Sequence, residues 1–103
     1  MPDDYFDKWI TDIKNEAIEV VDDMFEGYDK ANDKVITSSY TYTGISKGYI
    51  KLLKDMIDAK AWYDYHYFSI ITYKTKVDKL TRQKRFTIDI YLERNDEYES
   101  EDE

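Results

Sequence analysis

Residues 85–93 read RFTIDIYLE, the most regular alternation of apolar and polar residues in the chain. Phe86, Ile88, Ile90 and Leu92 take every second position, and polar or amphipathic residues stand between them. Because successive side chains of a strand point to opposite faces of a sheet, this period predicts a strand with one buried face. The rest of the chain must supply the elements that cover that apolar face.

An amphipathic helix over residues 4–26 is the predicted cover. Its apolar residues recur at three- and four-residue steps, which places them on one face of a helix. This stripe consists of Phe6, Trp9, Ile10, Ile13, Ala17, Val20, Val21 and Met24. Gly27 follows as a natural stop. We expect Trp9, Ile13, Ala17 and Val21 to be buried against a sheet that contains Ile88 and Ile90.

Three further segments complete the predicted fold. Residues 35–43 alternate as a half-buried strand does, Ser46 can open a second helix that runs to about residue 59, and residues 62–74 are strand-like. The order helix-strand-helix-strand-strand predicts an α+β fold, a two-layer sandwich with a small antiparallel sheet. The last two strands form a long C-terminal hairpin, with a turn near Asp78 or a longer loop. The uncovered sheet face would expose the tyrosines of residues 63–73.

The chain is expected to hold one folded domain. Its 103 residues suffice for a single core, and 42% of them are hydrophobic, which is too many for a chain that cannot collapse. Residues 1–94 form the predicted α+β domain. Residues 95–103 lack an apolar period and are predicted to be a disordered acidic tail.

Charge is sorted along the sequence into three blocks. Residues 1–29 have a net charge of −8, residues 30–92 a net charge of +6, and residues 93–103 a net charge of −6. The total of −8 disfavours non-specific binding to nucleic acid or to an anionic membrane over most of the surface. Segregated charge steers a protein toward partners and says little about its fold.

Few residues in the chain are suited to catalysis or to binding a metal or a cofactor. There is no cysteine, His66 is the only histidine, and three glycines cannot make a glycine-rich phosphate loop. A lone histidine in a tyrosine-rich strand is expected to be hydrogen-bonded within the sheet. We therefore predict a protein that is not an enzyme and that has no cofactor and no metal. Without an apolar leader or an 18-residue apolar run, a cytoplasmic protein is expected, in the host cytoplasm if it is viral.

The polar face of the first helix is the leading candidate for a partner-binding surface. Ordinary helix faces mix charges of both signs because Glu-to-Lys pairs stabilise a helix, whereas acids three or four residues apart repel. This face carries Asp12, Glu16, Glu19, Asp22, Asp23 and Glu26. The pattern favours a small acidic inhibitor or antagonist that binds a basic nucleic-acid-handling protein. Inhibitors of this kind include anti-defence factors of phages and immunity proteins. The expected target is a nuclease, a polymerase or a defence effector.

Two other functions remain open. The predicted hairpin is basic, and cations beside tyrosines are the ingredients of a nucleic-acid surface. Its candidate nucleic-acid-binding residues are Lys74, Lys76, Lys79, Arg82, Lys84 and Arg85, with Tyr63, Tyr65, Tyr67 and Tyr73 nearby. This pattern predicts a nucleic-acid-binding accessory protein as the alternative function. A structural or chaperone-like homodimer that pairs through its exposed sheet is the third class.

Overall fold

The computed structural model describes residues 2–29 and 32–96. Its elements are α1 (Pro2–Met24), β1 (Val35–Thr43), α2 (Lys47–Lys60), a π-helical turn (Ala61–Tyr65), β2 (Tyr67–Val77) and β3 (Lys84–Arg94). The predicted α+β fold and the order of its elements are confirmed. Gly27 has φ +72 beyond the end of α1, and the Ser46 side chain accepts the Tyr49 N–H (3.1 Å) at the start of α2, as those residue types predict.

The three strands form one antiparallel sheet in the order β1-β3-β2. The pairing with β1 runs without interruption from Val35 opposite Glu93 to Thr43 opposite Arg85. The strand with the cleanest alternation, β3, therefore lies in the centre. Its Phe86, Ile88, Ile90 and Leu92 are buried, as their period predicts.

The core lies between this sheet face and the two helices. From α1 it receives Ile13, Ala17 and Val21, and from α2 it receives Leu53 and Ile57. Fully burying an isoleucine, leucine or valine side chain stabilises the fold by ~1.5–3 kcal/mol. The predicted burial is correct for Ile13, Ala17 and Val21 and wrong for Trp9, which is half-buried. Phe6, at the start of the predicted apolar stripe, is 61% exposed. Residues 5–8 are all exposed, because the first turns of α1 extend beyond the core.

The predicted strand over residues 62–74 is wrong in its first part. α2 continues directly into the π-helical turn, and His66 ends that turn in the left-handed region with φ 61. In the turn, Ala61 is fully buried and the Tyr65 ring stacks on Phe25 with centroids 3.8 Å apart. This packing outweighs the strand propensity of the aromatic residues, because such propensity depends on context. β2 starts at Tyr67 and extends past Lys74 to Val77.

The long C-terminal hairpin is confirmed, with its connection at residues 78–83. The Asp78 carboxylate accepts the backbone N–H groups of Leu80 (2.8 Å) and Thr81 (3.2 Å), which holds the connection in place. At the other end of β3, Asn95 donates its N–H to the His66 carbonyl, and Asp96 contacts Lys34 and Arg94. The remainder of the predicted acidic tail, residues 97–103, lies outside the described residues.

Candidate functional site

The structure places the predicted acidic residues of α1 together along the side of the helix that faces away from the core. Asp12, Glu19, Asp22, Asp23 and Glu26 are exposed, and Glu16 is half-buried. The residues that face the core from the same helix, Ile13 and Val21 among them, have no exposed surface. The buried side of α1 therefore anchors the helix in the fold, and the acids lie on its opposite side.

Tyrosine hydroxyls from neighbouring elements hold three of these carboxylates. Tyr42 of β1 donates to Glu16 (2.7 Å), and Tyr40 of β1 donates to Asp23 (2.8 Å). A longer bond runs from the Tyr65 hydroxyl to Asp22 (3.4 Å). Hydrogen bonds to an ionised acceptor are stronger than those between neutral groups. These contacts therefore orient the carboxylates and tie α1 to the edge of the sheet.

Burial and the nearby acids raise the pKa values of these tyrosines. For Tyr42, burial is the largest cause, and the hydrogen bond to Glu16 and its negative charge add to the rise in pKa. The pKa of Tyr40 is also raised, chiefly by burial and further by Asp23, although a hydrogen bond with Ser38 acts in the opposite direction. A tyrosine phenol is already protonated at neutral pH, and the raised pKa extends its role as a hydrogen-bond donor to more alkaline pH.

No basic side chain forms an ion pair with the acidic face within the part of the chain that the structure describes. Lys60, whose pKa is raised chiefly by its hydrogen bond to Asp64 and further by the charge of Asp22, acts on this face only at longer range. None of the six acids lies within 4.0 Å of a lysine or arginine nitrogen there, and the ion pairs of the described residues lie elsewhere. Hydroxyl groups orient a carboxylate without cancelling its charge. The face therefore presents a concentrated negative field to solvent.

Sequence reasoning missed the tyrosines that complete this surface. Tyr40 and Tyr42 occupy alternate positions on the side of β1 that faces the helices, and both are half-buried. A tyrosine on the inward side of a strand needs a partner for its hydroxyl, which is the signal that could have found them. Together with Glu16, Glu19 and Asp23, Tyr40 lines a shallow concavity between α1 and β1.

The six basic residues of the alternative site lie around the tip of the hairpin. Lys76 and Arg85 are directly opposite one another on the uncovered sheet face. Lys74 lies on the same face, two residues before Lys76 in β2. Lys79 and Arg82 belong to the connection, and Lys84 begins β3 opposite Val77. All six are exposed.

Of the four tyrosines predicted to accompany this basic patch, three lie away from it and the fourth is on the helix side of the sheet. Tyr63 and Tyr65 lie in the π-helical turn, and Tyr67 is buried at the start of β2. From Tyr67 to the end of β2 at Val77 is ~33 Å at the rise of a strand. Tyr73 is closer but half-buried on the helix side of the sheet, where its ring contacts Phe86. The uncovered face does not carry the tyrosines of residues 63–73, because Tyr65, Tyr67 and Tyr73 point into or toward the core and Tyr63 lies outside the sheet.

His66 lies just before β2, at the reversal between the π-helical turn and the sheet. Its ring packs edge-on against Trp62, with centroids 5.7 Å apart. The prediction of a histidine within a strand is therefore wrong, since the strand begins one residue later. Over residues 2–29 and 32–96, no group of three or more histidine or acidic side chains is arranged to hold a metal ion.

Comparison with family models, with curated proteins and with solved structures finds no match for this chain. Among the described residues, neither helix combines the length and apolar character that crossing a membrane requires. Function is therefore inferred from the charge and geometry of the molecule's own surfaces.

Proposed function

We propose that this protein is a small, acidic, non-enzymatic inhibitor that binds a basic nucleic-acid-handling protein through the acidic face of α1. The observation that carries the proposal is the combination found on that face. Its carboxylates lie on a helix whose other side is buried, three of them are oriented by tyrosine hydroxyls, and no basic side chain of the described residues forms an ion pair with them.

Blocking would be steric and electrostatic. Neighbouring carboxylates on a helix stand ~5–6 Å apart, comparable to the spacing of phosphates along a nucleic-acid strand. The face would thus meet the lysines and arginines with which the target holds nucleic acid. Its field would speed association and make it sensitive to salt, while a few aromatic contacts would supply much of the affinity.

The proposed target is a nuclease, a polymerase or a defence effector, which would make the protein an anti-defence factor or an immunity protein that acts in the cytoplasm. Charge and size support this class. The nucleic-acid-binding alternative has less support, because the basic patch of the hairpin lacks the tyrosines on which bases would stack. A homodimer built on the uncovered sheet face is likewise without those tyrosines.

Two matched charge reversals test the proposal. The helix variant combines Asp12→Lys, Glu19→Lys and Glu26→Lys, which are exposed and make none of the tyrosine contacts described above. The hairpin variant combines Lys76→Glu, Lys79→Glu and Lys84→Glu. Both should keep the melting temperature of the wild type, since exposed substitutions change stability little. The measurement is capture from a cell extract at low and high salt, with identification of the captured protein and displacement by added nucleic acid.

We expect the wild type and the hairpin variant to retain a nucleic-acid-handling protein at low salt and to release it when nucleic acid is added. The helix variant should lose it, because like charges across an interface are strongly unfavourable. Moderate salt should weaken capture mainly through the association rate. Loss in the hairpin variant alone, with nucleic acid as the only captured species, would replace this function with the nucleic-acid-binding alternative.

A further inference from the structure

The outer edge of β1 differs from most exposed sheet edges. Natural edge strands carry lysines, prolines or bulges that prevent pairing with another chain. β1 reads VITSSYTYT, which contains no charged residue and no proline, and its nine pairs with β3 show no bulge. The opposite edge of the sheet, β2, carries Lys74 and Lys76. β1 is therefore the unguarded edge of the described sheet.

The hydrogen-bond register shows which backbone groups this edge presents. The Arg94 N–H donates to the Lys34 carbonyl (2.9 Å), which makes this a hydrogen-bonded pair at the start of the ladder. Because such pairs alternate along an antiparallel ladder, the even-numbered residues of β1 bond to β3. The N–H and C=O groups of Val35, Thr37, Ser39, Thr41 and Thr43 point outward. None of the turn, loop and cap backbone bonds of the described chain involves these five residues.

The charge beside this edge indicates which kind of added strand it can bind. The concavity lined by Glu16, Glu19 and Asp23 lies between α1 and β1, on the helix side of the sheet. The hydroxyls of Tyr40 and Tyr42 already reach from β1 to two of these carboxylates. An added strand would lie ~4.8 Å beyond β1. Its side chains opposite Tyr40 and Tyr42 would point to the helix side, where lysine or arginine could extend to the same acids.

We propose that the β1 edge binds an extended basic segment of the partner as a fourth, antiparallel strand, with lysine or arginine at alternate positions facing Glu16, Glu19 and Asp23. This inference rests on the proposed function for the basic character of the partner and adds the mode of binding. Main-chain hydrogen bonds would give affinity, and the alternate side chains would give specificity. The residues between the basic ones would lie on the uncovered face beside Thr37, Ser39 and Thr41.

Charge argues against a second copy of the chain as the occupant of this edge. Two β1 strands paired antiparallel are related by a twofold axis normal to the sheet, so both helix layers would lie on the same side. Glu16, Glu19 and Asp23 of the two copies would then face each other across the joint. Like charges facing one another destabilise such a pairing. A basic strand meets the same acids with the opposite sign.

The test uses the full chain and a fluorescent nine-residue peptide in which lysine alternates with threonine and valine. A control peptide has the same composition with its lysines in one block. We expect the alternating peptide to bind at least about tenfold more tightly at low salt, because only it places every lysine on the acidic side. Hydrogen exchange at the backbone amides of Thr37, Ser39 and Thr41 should slow when that peptide is added. Equal binding of the two peptides with no change in exchange would overturn the inference.

Backbone methylation of the peptide separates strand pairing from simple charge attraction. In the proposed antiparallel arrangement the threonine and valine N–H groups face β1, whereas the lysine N–H groups face away. Methylating the nitrogens of threonine and valine should therefore abolish binding, and methylating those of the lysines should leave it unchanged. The reverse pattern, or no effect from either set, would contradict antiparallel pairing at this edge.

A matched pair of protein variants extends the test to the natural partner. Thr41→Pro removes one outward N–H, a position where an edge strand tolerates proline, and Thr41→Ala keeps that N–H. With similar melting temperatures, only Thr41→Pro should lose the peptide and the captured protein. If Thr41→Pro keeps the captured protein and the helix charge reversal loses it, the proposed function stands and edge pairing fails. If neither change affects capture, both fail. Slow exchange at the β1 amides without peptide, together with a dimeric mass, would identify a second copy as the occupant.

Discussion

The acidic face of α1 and the basic tip of the hairpin are equally conspicuous in the sequence, yet the fold treats them differently. The acidic face stands on a helix whose other side is buried, and tyrosines of β1 hold Glu16 and Asp23. At the hairpin, the closest charge partner of Lys74 is Asp89 at 4.0 Å, and the Lys74 side chain is 81% exposed. Leu80 at the tip is 95% exposed.

This difference bears on how readily a partner could hold each charged surface in one conformation. Long side chains at an exposed tip keep their rotamer freedom, and binding them in one position would cost entropy. Carboxylates held by hydrogen bonds have already lost part of that freedom. A partner would therefore meet a more preorganised surface on α1 than on the hairpin.

The largest difference in stability between the two surfaces is expected when a charge is introduced beneath the acidic face and at the hairpin tip. Ile13 has no exposed area under the acidic face, so Ile13→Asp should unfold the protein, because an unpaired carboxylate in the core is strongly unfavourable. Leu80→Asp at the hairpin tip should change the melting temperature by no more than a few degrees. Thermal unfolding followed by circular dichroism measures both. A cooperative transition in Ile13→Asp at the wild-type temperature would show that α1 is not held as described.

The second-largest effect is expected at alkaline pH, which should lower the stability of the fold through the tyrosines that lie close to α1. The pKa values of Tyr40, Tyr42, Tyr49 and Tyr65 are raised in the folded protein, each chiefly by burial and further by nearby acids. The contribution of these tyrosines to the free energy of unfolding is fully present below the unfolded pKa of about 10. It is lost as pH rises through the folded values, since the unfolded chain ionises first. Denaturant unfolding between pH 8 and 11 should show a steep loss of stability above pH 10 that becomes smaller in Tyr42→Phe.

Removing one tyrosine hydroxyl from the acidic face should have a moderate effect. Tyr42→Phe deletes the donor to Glu16 and should lower the free energy of unfolding by ~1 kcal/mol, the usual net value of a hydrogen bond. Tyr91→Phe is the control, because Tyr91 lies on the uncovered sheet face and is also half-buried. Denaturant unfolding at pH 7 compares them. Equal losses in the two variants would mean that the bond to Glu16 contributes nothing.

The smallest effect is expected at the hairpin. Neutralising it with Lys79→Gln, Arg82→Gln and Lys84→Gln should change the free energy of unfolding by less than ~0.5 kcal/mol, as for most exposed substitutions. The same denaturant experiment serves as the measurement. A loss above ~1 kcal/mol would show that these charges stabilise the fold and would remove the contrast between the two surfaces.

Much of the fold could be predicted because the relevant patterns are local. Strand β1 has the predicted bounds, Val35–Thr43, because its alternation lies within nine residues. Ser46 caps α2 through the amide of Tyr49, three residues on. The acidic face of α1 follows from helical spacing alone. The π-helical turn at Ala61–Tyr65 was missed because its tryptophan and tyrosines have strand propensity, and only the burial of Ala61 and the stacking of Tyr65 on Phe25 decide otherwise.

The sequence by itself determined which residues are charged, which face of each element is apolar and in what order the elements occur. Tertiary structure alone decided that β1 pairs with β3 and so becomes an edge, and that Tyr42 meets Glu16 across 26 positions of the chain. It also decided that Tyr63, Tyr65 and Tyr67 lie away from the tip of the basic hairpin and that Tyr73 faces the core. The physical reason is that periodicity reports only on neighbours along the chain, whereas strand pairing and side-chain contacts depend on which distant surfaces bury each other most completely.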